Sequence, residues 1–107
     1  MTPAERYAKL VQHFLRQPGV TLEGKGFGSS SLRVGGSIFA LLSSRGEFVV
    51  KLPRRRVDEL VAAGEGQRFD PGHRRLMKEW FALQPGSRRD WASLAGEALE
   101  FVGSKSR

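Results

Sequence analysis

The chain has 107 residues, enough for one modest core and too few for two self-sufficient ones; at 39% hydrophobic and 27% charged it falls in the globular range, outside the disordered and membrane classes. Without cysteine it can form no disulfide, thiolate metal site or cysteine nucleophile, and with only His13 and His73 for proton transfer or nitrogen ligation near neutral pH it points away from an enzyme. A formal charge of +7, from 18 Lys+Arg against 11 Asp+Glu, attracts polyanions, although arginine-rich coding bias would produce the same count.

The first residues, Met1 to Arg6, carry no apolar signal core, so the expected location is cytoplasmic, with no membrane association. Thr2-Pro3-Ala4-Glu5 reads as a capping box with proline in the first helical turn. The helix it opens places Tyr7, Leu10, Val11, Phe14 and Leu15 on one face and stops at Gln17-Pro18-Gly19. Val20 to Glu23 is a candidate lead-in strand, not counted in the element order. Three β-type runs follow, Ser30 to Val34, Ser37 to Leu42 and Glu47 to Leu52.

Gly35-Gly36 is a two-residue hairpin turn, because glycine tolerates the positive φ of primed turns. It pairs Val34 with Ser37, Arg33 with Ile38 and Leu32 with Phe39. A turn of two or four residues within Ser43 to Gly46 pairs Leu41 with Phe48 and Phe39 with Val50. Opposed residues share a face, so Leu32, Val34, Phe39, Leu41, Phe48, Val50 and Leu52 form an apolar face. The other face collects Ser31, Arg33, Ile38, Ala40, Leu42, Glu47, Val49 and Lys51, a mixture suited neither to a dry core nor to open water.

After Pro53, Val57, Leu60 and Val61 keep helical spacing until Gly64. Gln67 to Phe69 is a short strand, Asp70-Pro71-Gly72 a turn, and Leu76 to Leu83 a longer strand. A last helix is capped by Ser87 or Asp90 and carries Trp91, Leu94, Ala95, Ala98, Leu99 and Val102 on one face; a disordered basic tail is expected from about Gly103. The predicted fold is a single α+β domain over 1–107, a two-layer antiparallel sheet with helices in the order α-β-β-β-α-β-β-α.

Across residues 24–102 the chain resembles the TfoX N-terminal-domain family and the related YjbR/MmcQ-like small bacterial proteins. The likeness rests on Phe27-Gly28, Gly36-Ser37-Ile38-Phe39-Ala40-Leu41, Gly46-Glu47-Phe48-Val49-Val50-Lys51-Leu52, Phe69, Lys78-Glu79-Trp80 and Leu94-Ala95-Gly96-Glu97-Ala98-Leu99. The resemblance implies an antiparallel sheet backed by helices and no enzyme activity. TfoX-like proteins are associated with competence regulation, and YjbR/MmcQ-like ones are often labelled DNA-binding.

The loop Gly19 to Gly26 nearly spells a phosphate-binding loop. Gly26 replaces the hydroxyl residue that would hold magnesium, and a strand-like run follows where a helix is required, so a glycine-rich turn is the better reading. Asp70 and His73 beside Ser29 to Ser31 contain the residue types of a triad without any spacing that fixes its geometry. Two histidines without an acidic cluster make no metal site, and no cofactor is expected.

Cations gather at Lys51 with Arg54, Arg55 and Arg56, at Arg68 with Arg74, Arg75 and Lys78, and at Arg88 with Arg89. Arg33 and Lys51 both oppose Ile38, two inter-strand spacings or ~10 Å apart, a separation that can straddle a phosphate or carboxylate. Equally, their long stems can cover apolar sheet surface while the heads reach water. Trp80 reads either as a core anchor or, beside Lys78, as an outward stacking platform.

The candidate nucleic-acid or anion-binding residues are therefore Arg33, Lys51, Arg54, Arg55, Arg56, Arg74, Arg75 and Lys78. Ile38, Ala40, Leu42 and Val49 form a candidate partner face for a protein or a second copy of the chain. The expected function is non-catalytic and regulatory, by contact with nucleic acid. The alternative is a protein-interaction or homodimerisation module; a small-ligand carrier or enzyme would need a closed pocket converging on Arg33 and Lys51.

Overall fold

Thr2 closes the capping box that starts α1 (Pro3–Phe14): its hydroxyl accepts from the Glu5 N–H at 3.1 Å, and the Glu5 carboxylate accepts from the Thr2 N–H at 3.0 Å. The hydrogen bond from the Thr2 N–H, and after it the Thr2 side chain, hold the Glu5 carboxyl below its ordinary pKa. The computed structural model describes residues 2–23, 31–43, 45–69, 78–84, 87 and 89–105. Along the chain α1 is followed by β1 (Val20–Glu23), β2 (Ser31–Val34), β3 (Ser37–Leu42), β4 (Phe48–Lys51), α2 (Arg54–Ala62), β5 (Gly66–Arg68), β6 (Trp80–Leu83) and α3 (Trp91–Lys105).

The strands form one antiparallel sheet in the order β1-β2-β3-β4-β6-β5, and the fold is α+β. Val20 to Glu23 is a full edge strand, so four strands precede α2 where three were counted. Lys78 and Glu79 lie in the turn before β6, which shortens the strand expected from Leu76. The expected fraying at Gly103 is replaced by helix through Lys105.

All three helices pack on one face of the sheet. Tyr7, Leu10, Val11 and Phe14 of α1, Val57 and Leu60 of α2, and Trp91, Leu94, Ala95, Ala98 and Val102 of α3 share a single core cluster with the sheet residues Leu32, Phe39, Phe48, Val50, Phe81 and Leu83. Phe48 stacks face to face on Trp91 at 4.5 Å, and Phe14 meets Phe39 edge-on at 6.1 Å. Burial drives the Tyr7 phenol pKa well upward, against the pull of a hydrogen bond with the Leu32 backbone.

The first hairpin has the expected register at its turn: Val34 pairs with Ser37, and Gly35 and Gly36 both take positive φ. The second does not. Its loop spans five residues, 43–47, closed by Ser43 N–H to Glu47 O at 2.8 Å and Gly46 N–H to Ser43 O at 2.9 Å. An odd loop reverses the side-chain parity of β3 against β4, so Leu42 pairs with Phe48, Leu41 with Val49 and Ala40 with Val50.

A register shift between Leu32 and Arg33 then restores the original parity. Leu32 pairs with Ala40 and Arg33 with Ile38, leaving Phe39 as the extra residue of a bulge, and Phe39 and Ala40 both enter the core. Two one-residue irregularities cancel. Leu32, Phe39, Phe48, Val50 and Leu52 are buried under the helices as expected, each at 1% exposure or less.

Between the irregularities the faces are exchanged. Ala40 and Leu42 belong to or pack against the helix-side core, and Leu41 turns to the opposite side with Val49. Their placement as partner-face residues is corrected accordingly.

Candidate nucleic-acid interface

The face turned away from the helices carries two rows of side chains, fixed by the pairing. One row contains Ser31, Leu41, Val49, Ala82 and Gln67. Its centre is closed, with Val49 and Ala82 at 0% and 2% exposure although neither belongs to the helix-side cluster. This overturns the role of Val49 in a dimer patch, because the side chain is already covered within one chain. Of the four proposed partner-face residues only Ile38 is both on this face and partly accessible.

The second row holds the chemistry. Thr21 pairs with Arg33 and Arg33 with Ile38; Lys51 pairs with Trp80, and the Phe69 N–H donates to the Trp80 carbonyl at 2.8 Å. Beyond the Leu41–Val49 pair, Ile38 is the next residue of β3 on this face and Lys51 the next of β4, so the bulge brings them into one line. The order across the sheet is Thr21, Arg33, Ile38, Lys51, Trp80, Phe69. From Arg33 to Phe69 every member is half-buried.

Trp80 is absent from the helix-side core, which overturns the core-anchor reading. Its cationic neighbour is Lys51, whose Nζ lies 5.7 Å from the ring centroid, and not Lys78, which is exposed in the preceding turn. Arg33 keeps its position opposite Ile38, and its Nη1 donates to the Gly36 carbonyl at 3.0 Å, which ties the guanidinium to the hairpin turn.

The remaining candidates divide. Arg54 and Arg55 are exposed in the first turn of α2, which has no acidic residue and no side-chain cap. Positive charge there opposes the helix dipole, so neither arginine stabilises its own helix. Arg56 is engaged elsewhere: its Nε and Nη2 grip the Glu97 carboxylate at 2.9 and 3.2 Å and its Nη1 reaches Glu59 at 3.4 Å. The Glu97 hydrogen bonds raise the Arg56 pKa further. Its assignment to anion binding is corrected to a latch between α2 and α3.

Arg68 pairs with Asp58 and Arg89 with Glu65, so two more cations of the sequence clusters are neutralised locally. Arg74, Arg75 and Arg88 lie outside the described residues, as do the Gly24 to Gly28 loop, Asp70 and His73. A concavity of about 230 Å³ bordered by Arg6, Phe48 and Trp91 lies on the helix side, where Arg6 sits 4.4 Å above the Trp91 ring and donates to the Arg89 carbonyl. Arg33 and Lys51 do not border it. Among the described residues no helix is long and apolar enough to cross a membrane, and no group of three or more His, Asp or Glu is placed to hold a metal.

Sequence patterning found Arg33, Ile38 and Lys51 on this face and missed Phe69, whose place beside Trp80 depends on the register of β5 against β6. No family model, no curated protein and no solved structure matches the chain.

Proposed function

We propose that this protein is a non-catalytic, cytoplasmic binding domain whose partner is nucleic acid, recognised on the helix-free sheet face. The observation that carries the reading is the row Arg33, Ile38, Lys51, Trp80, Phe69, in which two cations and two aromatic rings share one partly accessible line, with the exposed Arg54 and Arg55 following Lys51 closely in the chain. Cations supply sequence-independent attraction to phosphates, and aromatic faces supply contact with bases. The +7 charge supports the same reading, as does the likeness of the sheet and last-helix segments to TfoX N-terminal and YjbR-like domains. A role in regulation follows from that likeness.

Electrophoretic shifts against DNA, RNA and heparin over a salt series test the proposal. Nucleic acid should be retained at low salt and released as salt rises, because counterion release drives the contact. Replacing Lys51, Arg54 and Arg55 together by alanine should lower both the affinity and the salt slope. Failure to retain DNA or RNA at low salt would overturn the reading and leave arginine content as a compositional accident.

A further inference from the structure

We infer that the sheet face takes single-stranded nucleic acid in preference to duplex, with a base stacked against Trp80 and the adjoining phosphates held by Lys51 and Arg33. The inference rests on the nucleic-acid reading above and narrows it to one substrate class. Its first support is shape. The aromatic and basic side chains project from the middle of a sheet, across the strands, and not from a helix that could enter a major groove. In a duplex the base faces are stacked on one another, so Trp80 and Phe69 would find only sugar and phosphate; in a single strand the faces are available.

The second support is the order of the side chains. Lys51 is the direct cross-strand partner of Trp80, with its ammonium 5.7 Å from the ring centroid, so a base resting on that ring brings its backbone to the cation. From Trp80 on β6 to Arg33 on β2 the row crosses three strand spacings, ~14 Å. At roughly 3.4 Å per stacked nucleotide this is the length of about four nucleotides. Ile38 between the cations adds an apolar surface for a neighbouring base or sugar.

The third support is that Arg54 and Arg55, exposed at the start of α2, follow Lys51 closely in the chain and add positive charge to attract a phosphate backbone. Stacking and phosphate contact do not read the ribose 2′-hydroxyl, so DNA and RNA strands should bind alike.

The test titrates wild type, Trp80→Leu, Trp80→Phe and Lys51→Gln into labelled oligothymidine, oligouridine and a mixed-sequence duplex, following anisotropy, with circular dichroism confirming that each variant is folded. Both strands should bind more tightly than the duplex. Trp80→Leu should weaken strand binding at least about fivefold, the value of one base stacked on an aromatic ring, and leave duplex binding unchanged. Trp80→Phe should retain most of the strand affinity, and Lys51→Gln should lower both strand affinity and its salt slope.

Equal binding of strands and duplex, or indifference of strand binding to Trp80→Leu and Lys51→Gln, would overturn the single-strand inference and leave the broader nucleic-acid reading standing. Absence of binding to all three probes at low salt would overturn both. If Trp80→Leu does not fold, the Trp80→Phe and Lys51→Gln titrations decide by themselves.

Discussion

On the helix side of the sheet, Leu32, Phe39, Phe48, Val50 and Phe81 are each at 1% exposure or below, while on the other side the line from Arg33 to Phe69 is half-buried throughout. The same four strands, β2, β3, β4 and β6, supply both, and Phe69 follows β5. The helix side selects only for apolar volume, so the chain accommodates an odd loop and a bulge in β3 provided that Phe39 and Ala40 both end in the core. The other side has one closed row through Val49 and Ala82 and one row of mixed cations and rings, a division that burial alone does not require. Stability should therefore reside in the first face and in the closed row of the second, and recognition in the open row.

The largest effect should come from Phe39→Ala, which removes a fully buried ring at the bulge and should cost about 3–5 kcal/mol in equilibrium unfolding. A cost within experimental error of zero would break the assignment of Phe39 to the core.

Gly66→Ala and Val49→Thr probe close fit at two further points. A Cβ at Gly66 would lie 2.2 Å from the Ala82 carbonyl oxygen and 2.7 Å from the Phe81 ring, so the backbone of β5 must move, at a cost of about 1–3 kcal/mol from overpacking. Val49→Thr keeps the shape and buries a hydroxyl, which should cost about 1–3 kcal/mol if it is unsatisfied. Denaturant midpoints check both. A neutral Val49→Thr would mean that the closed row is wet, and would reopen this face to a partner.

Arg56→Ala should cost about 1 kcal/mol or less, since its two-pronged contact with Glu97 is well aligned but partly solvent-exposed. The loss should shrink in high salt, and nucleic-acid affinity should hardly change. The smallest stability effect, within about 0.5 kcal/mol, belongs to Lys51→Gln. That variant should nonetheless weaken nucleic-acid binding more than Arg56→Ala does, and the reversed order would erase the distinction between latch and contact residue.

Much of the fold was legible in local pattern. The Thr2 capping box, the apolar stripe of α1, the Gly35-Gly36 turn and the alternation of β4 each depend on neighbours in sequence, and each is present. The errors cluster in β3. Ala40, Leu41 and Leu42 are all apolar, so alternation there carries no parity signal, and a five-residue loop reads much like a four-residue one. Trp80 was undecidable for the same reason, because β6 is apolar on both parities.

The candidate site was legible as a list of cations and not as a surface. Among the cations of the sequence clusters, Arg56, Arg68 and Arg89 are removed from it by Glu97, Asp58 and Glu65, acids that lie 10 to 41 positions away along the chain. Composition records charge without recording which charges are paired.

By itself the sequence determined the class of fold, the helix-side core apart from Ala40, Leu41 and Leu42 of β3 and the faces of β6, and the positions of Arg33, Ile38 and Lys51 on a common face, because hydrophobic period and turn chemistry are local properties of the chain. Tertiary structure alone decided that Val49 is closed, that Arg56 is a latch, and that Trp80 and Phe69 complete the row begun by Arg33. Each of these depends on which distant strand or helix arrives beside the residue, and strand order in a sheet that inserts β6 between β4 and β5 is set by the packing of the whole apolar surface and not by any segment within it.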